Sequence, residues 1–483
     1  MPWLDAAFPV RMTRIALVAP DESLRDMLVS VAEAAAVELD QPIGDADTGG
    51  EAARRLHAAA PSSHQLPAAP ILSAEPPDLE ELDRTGQYDL LAGEAQLEAY
   101  AGTAVRGHAA AALAGWIPAD RIGDLAARLA GTGCSVVPLR RPRGAQAPTL
   151  VAGSQARRAL TPLVTTYGTI PYADFDPSWL AWASYVLMFG MMFGDAGDGL
   201  LVIAAAVALR AGWPSWARRY RTAWPFVGGA GVAATLFGLA YGEFFGPTGV
   251  VPVLWLAPLS KPIPLLLVAV GIGAVLLAGA YALGTINRWR EGGWPLALYA
   301  PSGVAGSALF AGIGVVAAGW FFHLGALLIV GGALAAAALA LAAAGFLVEA
   351  GGGGFGAMQV SMEIFDLVVR LGSNVASFTR LAAFGLAHAA LGLLVWQGTT
   401  ALWHRGGALI ALAILVFAVG SSVAFALEAL VAAVQALRLE YYELFSRVFV
   451  AQGRPFRPWR LRVQTSAERL VIDGDHSPGQ EAA

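Results

Sequence analysis

Charge is what this 483-residue chain has least of: 14% of its residues are Asp, Glu, Lys or Arg, against about 25% in ordinary soluble domains. The deficit lies almost wholly after about residue 175, so the average hides two different regions. Cys134 is the single cysteine, which excludes an intrachain disulfide and a cysteine metal cluster. Lys261 is the one lysine, and with so much Ala and Gly this reads as the codon bias of a GC-rich genome. A net charge of -5 leaves no electrostatic footprint for nucleic acid. No Gly-Lys-Ser/Thr follows Gly351-Gly-Gly-Gly354, so this run reads as a flexible connection rather than a phosphate loop. No nucleophile–base pair or metal-ligand spacing stands out, and no cofactor is expected. Met1-Pro-Trp-Leu-Asp5 lacks the basic flank and apolar core of a signal peptide.

Residues 1–165 read as a small soluble α/β domain. Arg14–Ala19 is a short apolar strand, and a helix is expected from Ser23 to Glu38, with Leu24, Met27, Leu28, Val31 and Ala35 on its apolar face. The Ala-, Pro-, Ser- and Gly-rich stretch Asp40–Pro77 reads as loop or linker. Ala110–Pro118 ends in a strand, Ala119-Asp-Arg121 opens a helix to about Leu129, and Cys134–Pro138 is a returning strand.

From Trp179 the chain changes character. Apolar stretches cover roughly 179–209, 223–242, 263–286, 298–321, 324–348, 374–402 and 408–439, each near or above the ~20 residues that span a hydrocarbon core. An amphipathic segment, 357–372, makes an eighth helix or the first part of one long helix, with Gly372-Ser373-Asn374 as the expected break. The expectation is an α-helical polytopic domain over 166–450, with seven or eight crossings, the last two long and tilted, then a basic-to-polar tail over 451–483.

Inside these apolar stretches sit residues that are expensive there. Arg380 lies in the middle of Ser377-Phe-Thr-Arg-Leu-Ala-Ala-Phe-Gly-Leu-Ala-His388, and a central Arg costs about 2.5–3.5 kcal/mol on insertion scales. Glu428, Gln435 and Arg438 occupy the next long segment. Helical residues seven apart lie within about 20° of one face, so Asp366, Ser373 and Arg380 form a stripe if their helix is continuous, with His388 further along. A proton path needs an acid or imidazole on each side of a barrier and a fixed cation between. Arginine suits that place because it does not give up its own proton.

The run Gly372–His388 resembles the signature of the membrane stator subunit of V/A-type rotary ATPases, subunit a, called I in archaeal and bacterial enzymes. Leu187–Leu200, Leu239–Gly246 and Ala426–Arg438 resemble further membrane helices of that family in the same order, and Gly115–Arg121 resembles part of its cytoplasmic domain. The resemblance implies that Arg380 meets the carboxylate of a rotating proteolipid ring and that Arg438 is a second arginine of the path. It implies that His388 and Glu428 line one half-channel, with Gln435 on the same face as Glu428, and that Asp366 or Glu363 lines the other, beside Ser373 and Asn374. It also implies a proteolipid ring, a central-stalk or collar subunit and peripheral stalk subunits as partners, membrane lipid around the helices, and a multi-pass place in a bacterial or archaeal cell membrane with the N-terminal domain cytoplasmic. No nucleotide site is present in this chain, so ATP chemistry belongs to partner subunits. The linker Asp40–Pro77 has no heptads and is short for the coiled coil that the family carries there. The rival reading is a proton-coupled secondary transporter, which the lack of an internal repeat disfavours. A non-catalytic assembly scaffold is a third.

Overall fold

The computed structural model describes residues 8–40, 50–59, 69–142, 145–151, 164, 166–300, 302–350, 353–449 and 452–464. Two compact units emerge: one comprises Val10–Leu150 with the segment from Arg454 onward, the other Met1–Pro9 with Val151–Gly453.

The first unit is α/β. Strand β1 (Met12–Pro20) is followed by α1 (Leu24–Ala34), β2 (Glu38–Leu39), α2 (Glu51–Ala59), β3 (Ile71–Ser73), α3 (Leu79–Thr85), α4 (Tyr88–Gly102), β4 (Val105–Arg106), β5 (Ala110–Pro118), α5 (Ile122–Leu129) and β6 (Ser135–Leu139). The main sheet runs β2-β5-β1-β6, with β4 paired to β5. β1 lies antiparallel to β5, Met12 opposite Pro118 and Pro20 opposite Ala110. Alternation puts Ile15 and Leu17 into the core against Met27, Leu28 and Val31 of α1. α1 stops four residues before Glu38, where Ala35 turns left-handed at φ 46°, which frees Glu38 and Leu39 to pair with β5.

Asp40–Pro77, read above as loop or linker, carries α2 and β3 in its described residues. Its Ala content favours helix in Glu-Ala-Ala-Arg-Arg-Leu-His-Ala-Ala. A partner from far along the chain supplies the strand: β7 (Arg462–Gln464) pairs parallel with β3. Residues 454–464 are therefore built into this unit. Trp459 and Leu461 are buried in its core, Trp459 N donates to Val37 O at 2.9 Å, and Arg454 pairs with Glu38 at 2.9 Å. The polar end of the tail beyond 464 lies outside the described residues.

The second unit is helical: α6 (Ser178–Met192), α7 (Ala196–Ala211), α8 (Trp224–Tyr241), α9 (Pro262–Tyr299), α10 (Val304–Phe321), α11 (Gly325–Glu349), α12 (Gly353–Ser377), α13 (Thr379–Trp403) and α14 (Leu409–Leu439), which continues through a π-helical turn (Glu440–Phe445) into α15 (Ser446–Val448). Among the described residues, six helices are long and apolar enough to cross a membrane. The expected count of seven or eight is not reached by length alone, because the first apolar stretch divides. Phe193-Gly194-Asp195 interrupts it, leaving α6 and α7 at 15 and 16 residues. Close packing holds this region together: a Cβ on Gly238 of α8 would lie 2.1 Å from Ala196 N, so the α8 backbone presses on the start of α7.

The break in the long helix before Trp403 also differs from expectation. Gly372, Ser373 and Asn374 are helical, and the chain interrupts at Phe378 instead. An isolated Gly costs a helix only about 1 kcal/mol. Phe378 is fully buried, and a Cβ on Gly273 of α9 would lie 2.2 Å from its ring, so the side chain is seated in the space that glycine leaves. Gly353 and Gly354, the end of the expected flexible connection, open α12. Gly351 lies outside the described residues.

Candidate functional site: two buried polar groups on the last long helices

The interruption at Phe378 places Arg380 in the first turn of α13. Arg380 Nη2 donates to Ser377 Oγ at 3.0 Å and lies 3.4 Å from Glu443 Oε1, on the π-helical turn. The Arg380 side chain is 26% exposed and that of Glu443 is 7% exposed. Arg380 Nη1 and Glu443 Oε2 are buried with no hydrogen-bond partner. Charge-assisted bonds normally run about 2.7–2.9 Å, so the pair is loose and leaves half of the guanidinium fork free. On the same turn Glu440, 1% exposed, accepts from Ser184 Oγ of α6 at 2.7 Å. Neither glutamate was singled out from sequence, where the last apolar stretch ends at Leu439. The signal available was two acids three residues apart directly after that stretch. π-Helical turns concentrate at functional sites, and here the turn carries both acids.

About two turns further along α13, His388 is buried. Its Nδ1 hydrogen-bonds Glu428 Oε2 of α14, and its Nε2 lies 4.0 Å from Glu243 Oε2. Asp195 joins them: ligand atoms of Asp195, Glu243 and His388 all lie within 4.8 Å of one another. Asp195 caps α7, accepting at Oδ1 from the N–H groups of Gly197 (2.7 Å), Asp198 (3.1 Å) and Phe245 (2.9 Å). Its Oδ2 accepts from Gly246 N at 2.7 Å. These four donors stabilise a fully buried carboxylate. Asp198 is buried on the same first turn. Three carboxylates, those of Asp195, Glu243 and Glu428, thus face one imidazole. The sequence holds these residues at 195, 198, 243, 388 and 428, a dispersion that hides the cluster from any spacing rule.

The other residues singled out from sequence fall elsewhere. Arg438 is exposed and makes no hydrogen bond or ion pair among the described residues. Gln435 is half-buried, with its Oε1 unpartnered. Along the stripe of Asp366, Ser373 and Arg380 the environment changes: Asp366 and Ser373 are exposed while Arg380 is half-buried. Asp366 pairs with Arg370 on its own helix, and Glu363 accepts from Gln359 Nε2 at 2.9 Å. With its amide turned so that Oδ1 faces the guanidinium, Asn374 accepts from Arg447 Nη2 at 2.6 Å and from Nε at 3.2 Å and donates to Arg370 O. Arg447, which the sequence did not point to as a site residue, is buried there against Tyr281.

A family model, "V-type ATPase 116kDa subunit family", matches residues 105–222. A-type ATP synthase subunit I of Aeropyrum pernix is 26% identical over 395 residues, covering 70% of this chain and 54% of the relative. The same subunit of Thermococcus kodakarensis is 24% identical over 384 residues, covering 75% and 56%. V-type ATP synthase subunit I 2 of Treponema pallidum is 32% identical over 149 residues, covering 28% and 32%. The chain thus spans about half the length of the archaeal relatives it matches. With six apolar helices among its described residues it is a multi-pass membrane protein, and over these stretches it is similar to the V-type ATPase 116kDa subunit family.

Proposed function

We propose that this chain is the membrane stator subunit of a V/A-type rotary ATPase and forms two half-channels for protons, or sodium ions, against a rotating proteolipid ring. The observation that carries the reading is Arg380: half-buried, gripped on one side by Ser377 and loosely by Glu443, with Nη1 unpartnered. A guanidinium in that state attracts a passing carboxylate, keeps it ionised and blocks a direct proton leak, since its own proton does not leave. The relatives' names, A-type ATP synthase subunit I, support the same assembly.

In this mechanism His388, Glu428 and Glu243 form one proton path, relaying between imidazole and carboxylates in contact. A ring carboxylate takes up the proton, travels through lipid and releases it beside Arg380. The second path is assigned to Glu443, 3.4 Å from that guanidinium, and to Glu440 on the same turn, in place of Asp366 and Glu363, which are engaged by Arg370 and Gln359 of their own helix. Arg438, exposed on α14, faces the ring as a second cation. Ring, central-stalk or collar subunit and peripheral stalk are the partners this requires, and the α/β unit stands on the cytoplasmic side.

The test is ATP-driven proton pumping by the intact complex in vesicles. Arg380→Ala is expected to abolish pumping while the complex still assembles, and Arg380→Lys to restore little, because a lysine lacks the fork. Pumping unchanged in Arg380→Ala rejects the stator reading.

A further inference from the structure

The cluster around His388 has the donor set of a metal centre. We propose that Asp195, Glu243 and His388 form a binding site for a divalent transition-metal ion, best fitted by Zn²⁺, with Glu428 as the residue that orients the imidazole. Three observations converge. The three ligand atoms lie within 4.8 Å of one another. A tetrahedral Zn²⁺ holds its ligands roughly 3.5 Å apart, so the carboxylates close in by about 1 Å on binding. Second, Glu243 is 3% exposed and its Oε2, aimed at His388 Nε2 across 4.0 Å, has no hydrogen-bond partner. An unpaired carboxylate oxygen at that depth calls for a cation. Third, the histidine is already oriented for ligation. Its Nδ1 is engaged by the Glu428 carboxylate, leaving Nε2 turned to Glu243 and Asp195. Metal-bound histidines characteristically give their second ring nitrogen to a carboxylate in this way.

The ligand types choose the ion. Calcium and magnesium are held by oxygen donors, whereas an imidazole nitrogen among carboxylates suits zinc. Asp195 Oδ2 accepts a single N–H, from Gly246, so it retains a lone pair for the metal. Glu428, whose side chain is 12% exposed against 7% for His388, marks the more open edge of the cluster. The site itself rests on geometry alone; only its consequence, that a bound metal occupies the imidazole and stops translocation, rests on the proton-path reading.

Isothermal titration of the full-length chain in detergent with Zn²⁺ tests it. The expected result is one Zn²⁺ per chain, with affinity reduced at least about tenfold in His388→Gln and Glu243→Gln and roughly tenfold in Glu428→Gln. Glu22→Gln, on the exposed first turn of the α/β unit, is expected to bind as the parent does. Absence of stoichiometric binding, or a His388→Gln chain that binds like the parent, overturns the site. Should a variant fail to fold, Co²⁺ on the unaltered chain decides: intense visible bands of a low-coordinate centre support the site, and the pale spectrum of an octahedral ion overturns it. Adding Zn²⁺ to the intact complex separates the two readings. Binding without inhibition of pumping leaves the site standing and removes His388 from the proton path. No binding, with pumping that still requires His388, does the reverse.

Discussion

Arg380 and Glu443 face each other at 3.4 Å, one in the first turn of a helix and the other on a π-helical turn 63 residues later. Arg380 keeps one nitrogen unpartnered and Glu443 one oxygen. The glutamate stabilises the guanidinium without saturating it.

Glu443→Gln removes that counter-charge and leaves the arginine under-satisfied. The expected cost is about 1–3 kcal/mol of stability, together with a large loss of ATP-driven pumping in the complex. Pumping and thermal stability both at parental levels would show that the pair is incidental.

Phe378 sits where the helix breaks. Phe378→Ala should destabilise the helical unit by about 3–5 kcal/mol. Gly273→Val should do comparable damage from the other side, since a Cβ there would lie 2.2 Å from the ring. Hydrogen exchange at Ala376–Leu381 is the readout, and protection unchanged in both variants argues against the wedge.

Asp195→Ala leaves four N–H groups, three of them buried and that of Phe245 part-buried, without their acceptor. Each unsatisfied group costs about 1–3 kcal/mol, and the sum is not additive. Asp195→Asn, which keeps an acceptor oxygen, should lose much less. Equal melting temperatures for the two variants would mean that the cap contributes little.

The C-terminal segment completes the α/β unit, so Trp459→Ala should cost about 3–5 kcal/mol there. Ending the chain at Gly453 should expose β3 and the face of α1 that receives Leu461. Proteolysis at 20–40 and 69–75, monitored by mass spectrometry, should accelerate in both forms. Parental resistance in the shortened chain would show that the segment is dispensable.

Asp174, before α6, provides a pH test outside the membrane-spanning helices. Burial first, then the neighbouring Glu291 carboxylate, pushes its pKa up to about 8, against the opposing pull of Arg288 and Arg290. The folded chain therefore keeps a proton that the unfolded chain loses near about 4. Between those values the native state binds more protons, so stability falls as pH rises. Asp174→Asn abolishes this dependence. Apparent melting temperatures of the two forms should diverge in favour of the variant from pH 5 to 8, and parallel profiles would contradict the assignment.

Arg380, His388 and Glu428 stand out in the sequence because charge in a long apolar run is costly wherever the chain goes, a property of composition that needs no coordinates. The strands Arg14–Ala19 and Ala110–Pro118 and the core face of α1 are equally legible, since local periodicity sets which side is apolar. Tertiary structure alone decided the rest. The Phe378 ring is buried in the room that a glycine more than a hundred residues earlier leaves. Asp40–Pro77 contains a strand because Arg462–Gln464 returns to pair with it. Glu443 reaches Arg380, and Glu243 and Asp195 reach His388, because helix packing joins positions that share no sequence interval. Apolar patterning acts over a few residues, whereas the partners of a buried charge are set by which helices touch.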